Sequence, residues 1–204
     1  MEAFINYNHL KRRKNKMQNR VEIIGAVAVG YTLDHTVNGK RFYSATVRCN
    51  RNSGVTDYVP IIAAENMIVS DGRIRVLGEL RTYNTEQGQL KVYVYAESIS
   101  PTDDKDKNVC DLQGVLCSVQ PMRKTLSGHY ICKAVLAVNR SYGKSSYIPC
   151  VAWNDKALKL SLCSVGDPVA VTGRIQSRLY LKEEAHFTCY ELSLNSIEEV
   201  LHER

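Results

Sequence analysis

Aromatic and cationic side chains are interleaved along the C-terminal half of the chain, from residue 140 to residue 180. An aromatic ring can stack on any nucleic-acid base, and a lysine or arginine can bind any phosphate. Neither contact reads the edge of a base, so the pattern favours binding of a single strand regardless of its sequence. The residues of this set are Arg140, Tyr142, Lys144, Tyr147, Trp153, Lys156, Arg174, Arg178 and Tyr180.

The stretch from Tyr147 to Trp153 has the alternation of a β-strand with one buried face. Successive side chains of a strand point to opposite faces, so Ile148, Cys150 and Ala152 share one face. Because these three side chains are small or apolar, we predict that they point into a protein core. Tyr147 and Trp153 then lie on the outer face, although a lone tryptophan in a strand is more often part of a core.

An internal repeat with an offset of 89 residues organises the chain. The segment Asn19–Gly25 (NRVEIIG) corresponds to Asn108–Gly114 (NVCDLQG). The same offset aligns Gly39 with Gly128, Ala45 with Ala134, Arg51 with Arg140, Pro60 with Pro149 and Ala63 with Ala152. The second copy then gains about six residues, after which Gly78 aligns with Gly173. We interpret this agreement as a duplication.

Each copy has the strand pattern of a small closed barrel. Asn38-Gly39 and Ser127-Gly128 are hairpin-turn signals between β-rich runs, and Asp155–Ser164 suits a short helix. Five strands with a helix before the fourth are typical of the OB fold. We therefore predict an all-β fold of two tandem five-stranded OB-fold barrels joined by a short polar linker. The predicted parts are a basic N-terminal arm (1–18), a first barrel (19–100), the linker (101–107) and a second barrel (108–204).

Two stretches of the second copy, LAVNRSYGKSSYIPCVAWNDKA and VGDPVAVTGRIQSRLY, carry a more specific pattern. In these stretches the second copy resembles the bacterial single-stranded DNA-binding protein family. The first copy is similar more loosely, through NRVEIIGAV, NGKRFYSATVRCNR and GRIRVLGELRTY, in the manner of the primosomal protein B branch of that superfamily. The resemblance implies OB-fold barrels that assemble so that single-stranded DNA wraps over aromatic and basic side chains during replication, recombination or repair.

The resemblance also implies which rings stack on DNA. The matching positions in the second copy are Tyr142, Tyr147, Trp153 and Tyr180. Their counterparts in the first copy are Ser53, Tyr58, Ala64 and the region of Tyr83 and Asn84. Only Tyr58 is a clear match, so the aromatic set of the first copy is degenerate. We therefore expect the second barrel to bind the strand, while the first supplies an assembly surface and auxiliary contacts.

Two arginines of the first copy, Arg51 and Arg81, complete the predicted interface. Arg51 aligns with Arg140, and both either contact phosphate or form a salt bridge at the barrel rim. The net charge of +6 gives weak support, because six of the 27 basic residues and one acid lie in the first 20 residues, leaving the remainder nearly neutral. Three interpretations of the basic arm (KRRKNK) stay open: a disordered tail that binds phosphate by charge alone, a solvated segment, or the start of a helix that docks on a partner subunit.

The sequence carries no motif for catalysis, for a metal or for a cofactor. A GxxxxGK[ST] phosphate loop and the KxDG motif of nucleotidyl transfer are both absent, and the five histidines have no plausible nucleophile nearby. The seven cysteines contain no Cys-x-x-Cys pair, so free thiols are expected instead of a zinc site or a disulfide framework. We therefore predict a binding protein that is not an enzyme and uses no cofactor.

Location and partners follow from further features of the sequence. No apolar run is long enough to span a bilayer, and no secretory signal opens the chain, so we expect a cytoplasmic protein. The chain ends in SIEEVLHER, so we expect no acidic C-terminal tail for recruiting repair enzymes. Most members of the family that the second copy resembles present four OB-fold barrels per assembly, so with two barrels per chain the resemblance implies a homodimer. An OB-fold adaptor or oligomerisation protein of a replication complex, and a single-stranded RNA binder, stay open as alternatives.

Overall fold

The computed structural model describes residues 19–69, 72–140, 143–182 and 185–200, with the side chains of residues 179–187 left out. The basic arm, Tyr142 and residues 201–204 lie outside the described residues, so what the sequence predicts for them stays a prediction. Most of the described chain is β-strand, with one short helix.

The first copy of the repeat forms a closed barrel. Its strands are β1 (Asn19–Val37), β2 (Lys40–Asn50), β3 (Thr56–Ala64), β4 (Arg73–Asn84) and β5 (Leu90–Pro101). Strand β1 pairs with β2 and β4, β2 with β3, and β4 with β5, all antiparallel. A parallel pairing of β3 with β5 closes the ring. One 3-10 turn, Glu65–Met67, follows β3, where the second copy has its helix.

The second copy repeats this connectivity. Its strands are β6 (Lys107–Val119), β7 (Arg123–Lys124), β8 (Tyr130–Asn139), β9 (Ser145–Trp153), β10 (Pro168–Lys182) and β11 (Ala185–Glu199). The ring runs β6–β8–β9–β11–β10 and back to β6, again with one parallel pair, β9 with β11. The helix α1 (Asp155–Ser161) precedes β10, and β7 only extends the hairpin with β8. The predicted all-β OB-fold class is confirmed.

The first strand of each barrel needs a glycine where it bends. A Cβ atom on Gly25 would overlap the backbone carbonyl of Arg48, and one on Gly114 would overlap that of Ala137. Only a glycine lets these strands approach so closely, which is the usual reason for a glycine inside a strand. The same steric requirement therefore explains why both copies of the repeat have a glycine at this position, Gly25 in the first and Gly114 in the second.

Alternation along the strands fills both barrel interiors with aliphatic side chains. The fully buried residues include Ile23, Ile61, Ile74 and Leu80 in the first barrel, and Leu112, Leu136, Ile148, Ile175 and Leu192 in the second. Each such burial stabilises the fold by about 1.5–3 kcal/mol relative to exposure. The pattern therefore fixes which side chains of each strand point outward.

All seven cysteines are free thiols, and four are buried. Burial raises the pKa of Cys49 and of Cys150 to about 12, so both stay protonated near neutral pH. Within the described ranges, no group of three or more His, Cys, Asp or Glu residues is arranged to hold a metal ion. No described helix has the length and apolar character needed to cross a membrane.

The two barrels share one sheet through β1 and β6, which pair antiparallel. Val21 lies opposite Cys110, and these two residues occupy the same position in the two copies of the repeat. The barrels are therefore related by a local two-fold axis at this pair. Two equivalent hydrogen bonds between the barrels follow the same two-fold relation. The Tyr58 amide donates to Ser177 Oγ (3.1 Å), and the Tyr147 amide donates to Thr82 Oγ1 (2.9 Å).

The segment between β5 and β6 is held by polar contacts. Arg75 pairs with Asp104 (2.5 Å), and Arg73 pairs with Asp106 (2.7 Å). The backbone amide of Asn50 also donates to the Asp106 carboxylate (2.7 Å). These contacts fix the direction in which the chain leaves the first barrel and enters the second.

Candidate nucleic-acid interface

Strand β9 places its side chains on the faces that the sequence predicts. Ile148, Cys150 and Ala152 point into the second barrel and are buried. Tyr147 lies on the outer face with 54% of its surface exposed, and Trp153, on the same face at the end of the strand, is half-buried. Both rings are therefore outside the core, as the alternation requires.

The outer face of β9 is interrupted between these two rings. Val151 shares the face but is fully buried, with Lys133 of β8 directly opposite it. The Lys133 ammonium group pairs with the buried carboxylate of Glu191 (3.6 Å), which also accepts a hydrogen bond from Gln176 (2.8 Å). The outer face of β9 therefore carries two aromatic side chains, Tyr147 and Trp153, with the buried Val151 between them and an ion pair beside Val151.

A groove of about 710 Å³ opens between the β4–β5 hairpin and the outer face of the second barrel. The hairpin contributes Gln87–Lys91, and the second barrel contributes Lys133, Pro149, Arg178 and Glu191. Pro149 belongs to the same outer face of β9 as Tyr147. Three cations face one carboxylate, so the groove favours an anionic ligand.

Arg51 forms the salt bridge that the sequence left open, which argues against a phosphate contact. Its guanidinium group donates to both carboxylate oxygens of Asp57, at 2.7 Å and 2.5 Å. Asp57 is only 1% exposed and also accepts the Ser177 amide (3.3 Å). The positive charge of Arg51 is therefore neutralised within the protein.

Arg140 has a different environment, because Ser146 stands where the first copy has Asp57. The Arg140 Nη2 atom donates to the Ser145 carbonyl (3.3 Å), and its buried Nε atom has no hydrogen-bond partner in the described part of the chain. No ion pair joins Arg140 to a carboxylate among those same residues.

The remaining predicted cations occupy three kinds of position. Arg178 is exposed and lines the groove, with a weak contact from Nη2 to Cys189 Sγ (3.9 Å). Arg174 lies beside the Arg51–Asp57 pair, and burial, followed by repulsion from Arg51, lowers the pKa of Arg174. Lys144 and Lys156 are exposed.

Arg81 and Tyr180 complete the predicted set. Arg81 is bound to Glu79 (2.9 Å) and lies over the ring of Tyr95, 3.7 Å from its centroid. Tyr180 lies in β10 opposite Phe187, but its side chain is outside the described part of the structure.

The first barrel carries three outward-facing tyrosines, of which the sequence analysis named Tyr83 but not Tyr93 or Tyr95. Tyr93 and Tyr95 of β5 and Tyr83 of β4 point away from the interior; we call these three residues the tyrosine face. The Tyr83 and Tyr93 rings meet edge to face at 5.7 Å, and Phe42 lies 6.1 Å from Tyr95. The signal was the alternation VYVYA, in which the small residues Val92, Val94 and Ala96 are buried. The first barrel therefore has outward-facing rings at Tyr93 and Tyr95, two positions to which the resemblance assigns none.

Strand order, closed rings and outward aromatic and cationic side chains define this chain as a tandem OB-fold protein. The single-strand binding protein family model matches residues 108–200. The single-stranded DNA-binding protein B of Bacillus subtilis (strain 168) is 38% identical over 80 residues, which cover 36% of this chain and 71% of that protein. The chain therefore belongs to the single-strand binding protein family.

Solved structures agree with the fold over almost the full length. The wild-type single-stranded DNA-binding protein of Thermus aquaticus superimposes with a TM-score of 0.76, covering 93% of this chain and 96% of that one at 20% identity. A deletion mutant of the same Thermus aquaticus protein gives the same TM-score and identity, covering 93% of this chain and 97% of that one. At this level of identity the match establishes the tandem-barrel architecture.

Proposed function

We propose that the protein binds single-stranded DNA without sequence preference and catalyses no reaction. The observation that carries this proposal is the outer face of β9, which carries the exposed Tyr147 and also Pro149. Pro149 lines a groove together with the cations Lys91, Lys133 and Arg178. A ring that any base can stack on, next to cations that any phosphate can reach, is what binding of an arbitrary strand requires. Relatives named as single-stranded DNA-binding proteins support the same ligand.

Each group has a physical role in this proposal. Tyr147 and Trp153 stack on bases, each contact contributing about 1–3 kcal/mol. Arg140 and Arg178 contact phosphates, together with the exposed Lys144 and Lys156, so the affinity falls as the salt concentration rises. Tyr142 and Tyr180 stay in the proposed interface on sequence grounds, whereas Arg51 serves to hold Asp57. The cellular setting that we propose is replication, recombination or repair.

The fluorescence of Trp153, the single tryptophan, tests the ligand class directly. We expect poly(dT) to quench it strongly, poly(U) more weakly and duplex DNA least, with quenching reversed by added salt. Equal quenching by poly(dT) and poly(U) would favour an RNA-binding role instead. No quenching by any polymer, with no binding in a label-based assay, would favour the adaptor role. Incubation of a labelled strand with pure protein tests for turnover, and we expect none.

A further inference from the structure

We propose that the basic arm, residues 1–18, docks on its own chain, in an acidic groove on the outer face of the sheet where the two barrels join. The arm carries five basic residues and one acid, and it lies outside the described residues. Docking on its own chain is none of the three interpretations that the sequence leaves open. The proposal is independent of the proposed function, because this groove shares no residue with the groove beside β9.

The acidic groove, of about 320 Å³, has more negative than positive charge. Its lining includes Arg20, Glu22, Leu77, Glu97, Val109 and Asp111. Glu22 is already neutralised, because its carboxylate pairs with Lys107 (2.6 Å) and with Arg75 (3.4 Å). No ion pair or hydrogen bond engages the carboxylates of Glu97 and Asp111 within the described ranges. The groove therefore favours a cationic ligand.

The two-fold relation between the barrels shows what Asp111 lacks. Glu22 and Asp111 occupy the same position in the two copies of the repeat. The counterpart of Lys107, 89 residues earlier, is the glutamine at the end of the arm. The counterpart of Arg75 is Ala170, which has the matching place in the β10–β6 ladder. Neither cation that neutralises Glu22 is therefore repeated at Asp111, and the nearby cations in the sequence are those of the arm.

Asn19 fixes the point at which the arm meets the acidic groove. Its side-chain amide donates to the Leu80 carbonyl (2.9 Å), and its side-chain oxygen accepts the Leu80 amide (2.8 Å). The next residue, Arg20, lines the groove and lies opposite Asp111 in the β1–β6 ladder. Lys16 is three residues before Asn19, so even a fully extended chain keeps the two within about 10 Å. The lysines of the arm can therefore reach Asp111.

The segment between the barrels already makes the equivalent contact. Asn108 is held on Ile175 by the same two hydrogen bonds, at 2.7 Å and 2.9 Å. Lys107, just before it, lies against the first barrel and pairs with Glu22. The two-fold relation therefore predicts that the residues just before Asn19 lie against the second barrel.

Exposed apolar side chains in the acidic groove also match the arm. Leu77 and Val109 are 42% and 41% exposed, and both lie directly opposite Glu22, so they flank it on the same face. Apolar side chains of the arm that can cover them are Phe4, Ile5, Tyr7 and Leu10. A second copy of the groove would instead bring carboxylates against carboxylates, which opposes association. The arm complements both the charge and the apolar character of this surface.

Carbodiimide cross-linking of the full chain tests the contact, because it joins a lysine amine to a carboxylate that touches it. Unlabelled and nitrogen-15-labelled protein would be unfolded and refolded together, cross-linked and digested for mass spectrometry. We expect peptides that link Lys14 or Lys16 to Asp111 or Glu97, each with a single isotope label. Linked peptides that carry both labels would place the arm on a partner chain and overturn the proposal.

Trypsin cleavage at the basic residues of the arm measures how firmly it is docked. Asp111→Asn and Glu97→Gln should each raise the rate of cleavage roughly two- to fivefold, because each removes one exposed ion pair. Glu86→Gln is the matched control, since Glu86 is an exposed acid of the β4–β5 hairpin outside the acidic groove. This control should leave the rate unchanged. If Asp111→Asn does not fold, the exposed Glu97→Gln decides.

The same cleavage assay with oligo(dT) separates docking from a phosphate contact. Protection of the arm by oligo(dT), with no effect of the two groove substitutions, would mean that the arm binds phosphate and that the proposal is wrong. Equal cleavage rates in all variants, together with no cross-links to the groove, would mean that the arm is solvated, which also overturns it.

Discussion

Arg51 and Arg140 occupy the same position in the two copies, yet their guanidinium groups meet different partners. Asp57 receives two hydrogen bonds from Arg51, whereas Ser146 at the equivalent position leaves Arg140 without a carboxylate among the described residues. Both partner residues also accept an amide from the other barrel, Asp57 from Ser177 and Ser146 from Thr82, each at 3.3 Å. One side-chain difference therefore sets the charge available at each site.

Placing at each of these two positions the residue of the other copy should weaken binding only for Ser146→Asp. Ser146→Asp should pair with Arg140 and weaken binding of oligo(dT) roughly three- to tenfold, as the loss of one charged contact predicts. Asp57→Ser should release Arg51 and leave the affinity unchanged or raise it. Isothermal titration at two salt concentrations measures both, with urea unfolding to confirm that each variant folds. A gain of affinity on Ser146→Asp would contradict the assignment of Arg140 to phosphate.

The outer-face aromatics of the two barrels should contribute unequally. Trp153→Ala should weaken binding of a short oligo(dT) by about 1–3 kcal/mol, because a stacking surface is lost. Tyr58→Ala should cost less, since Asp57, which precedes Tyr58 in β3, neutralises Arg51. Anisotropy of a labelled oligonucleotide reports on both, since it needs no tryptophan. Losses of equal size would mean that the second barrel is not the primary site for short strands.

Within a strand, the alternation of residues predicted correctly which side chains point outward. It could not predict which of those outward side chains are buried by neighbouring strands. The alternation of β9 gave the outward direction of Tyr147 and Trp153 correctly. It could not give the burial of Val151, which depends on the two neighbouring strands, where Lys133 of β8 and Ser193 of β11 pair with it. The family resemblance assigns the stacking rings to other positions and so does not indicate Tyr93 and Tyr95. The alternation of β5 alone would have placed both rings on the outer face.

The bend of the first strand in each barrel gives a prediction about stability. Gly114→Ala should lower the free energy of unfolding by about 1–3 kcal/mol, because the added Cβ would overlap the Ala137 carbonyl and force the strands apart. Gly30→Ala is the matched control in β1, where an added Cβ meets no atom within 4 Å. Urea denaturation followed by far-UV circular dichroism compares the two. Similar losses in both variants would show that the close approach at Gly114 does not matter.

For the whole molecule, we expect two chains to assemble so that four barrels act together. One chain supplies two barrels, and several linked binding sites raise the overall affinity for a strand that wraps over them. Light scattering of purified protein at micromolar concentration should give a mass near twice the 23.0 kDa of one chain. A persistent mass of one chain under these conditions would contradict the prediction.

The facing of Val21 and Cys110 across the local two-fold axis has an evolutionary consequence. When two identical chains associate about a two-fold axis, each residue on the axis faces the same residue of the other chain. Every substitution there therefore changes both sides of the interface. Joining the halves in one gene product removes that constraint and keeps the pair together on dilution. The two halves can then accumulate substitutions independently. A single substitution can change the ligand contacts of one barrel, while the other barrel keeps its own.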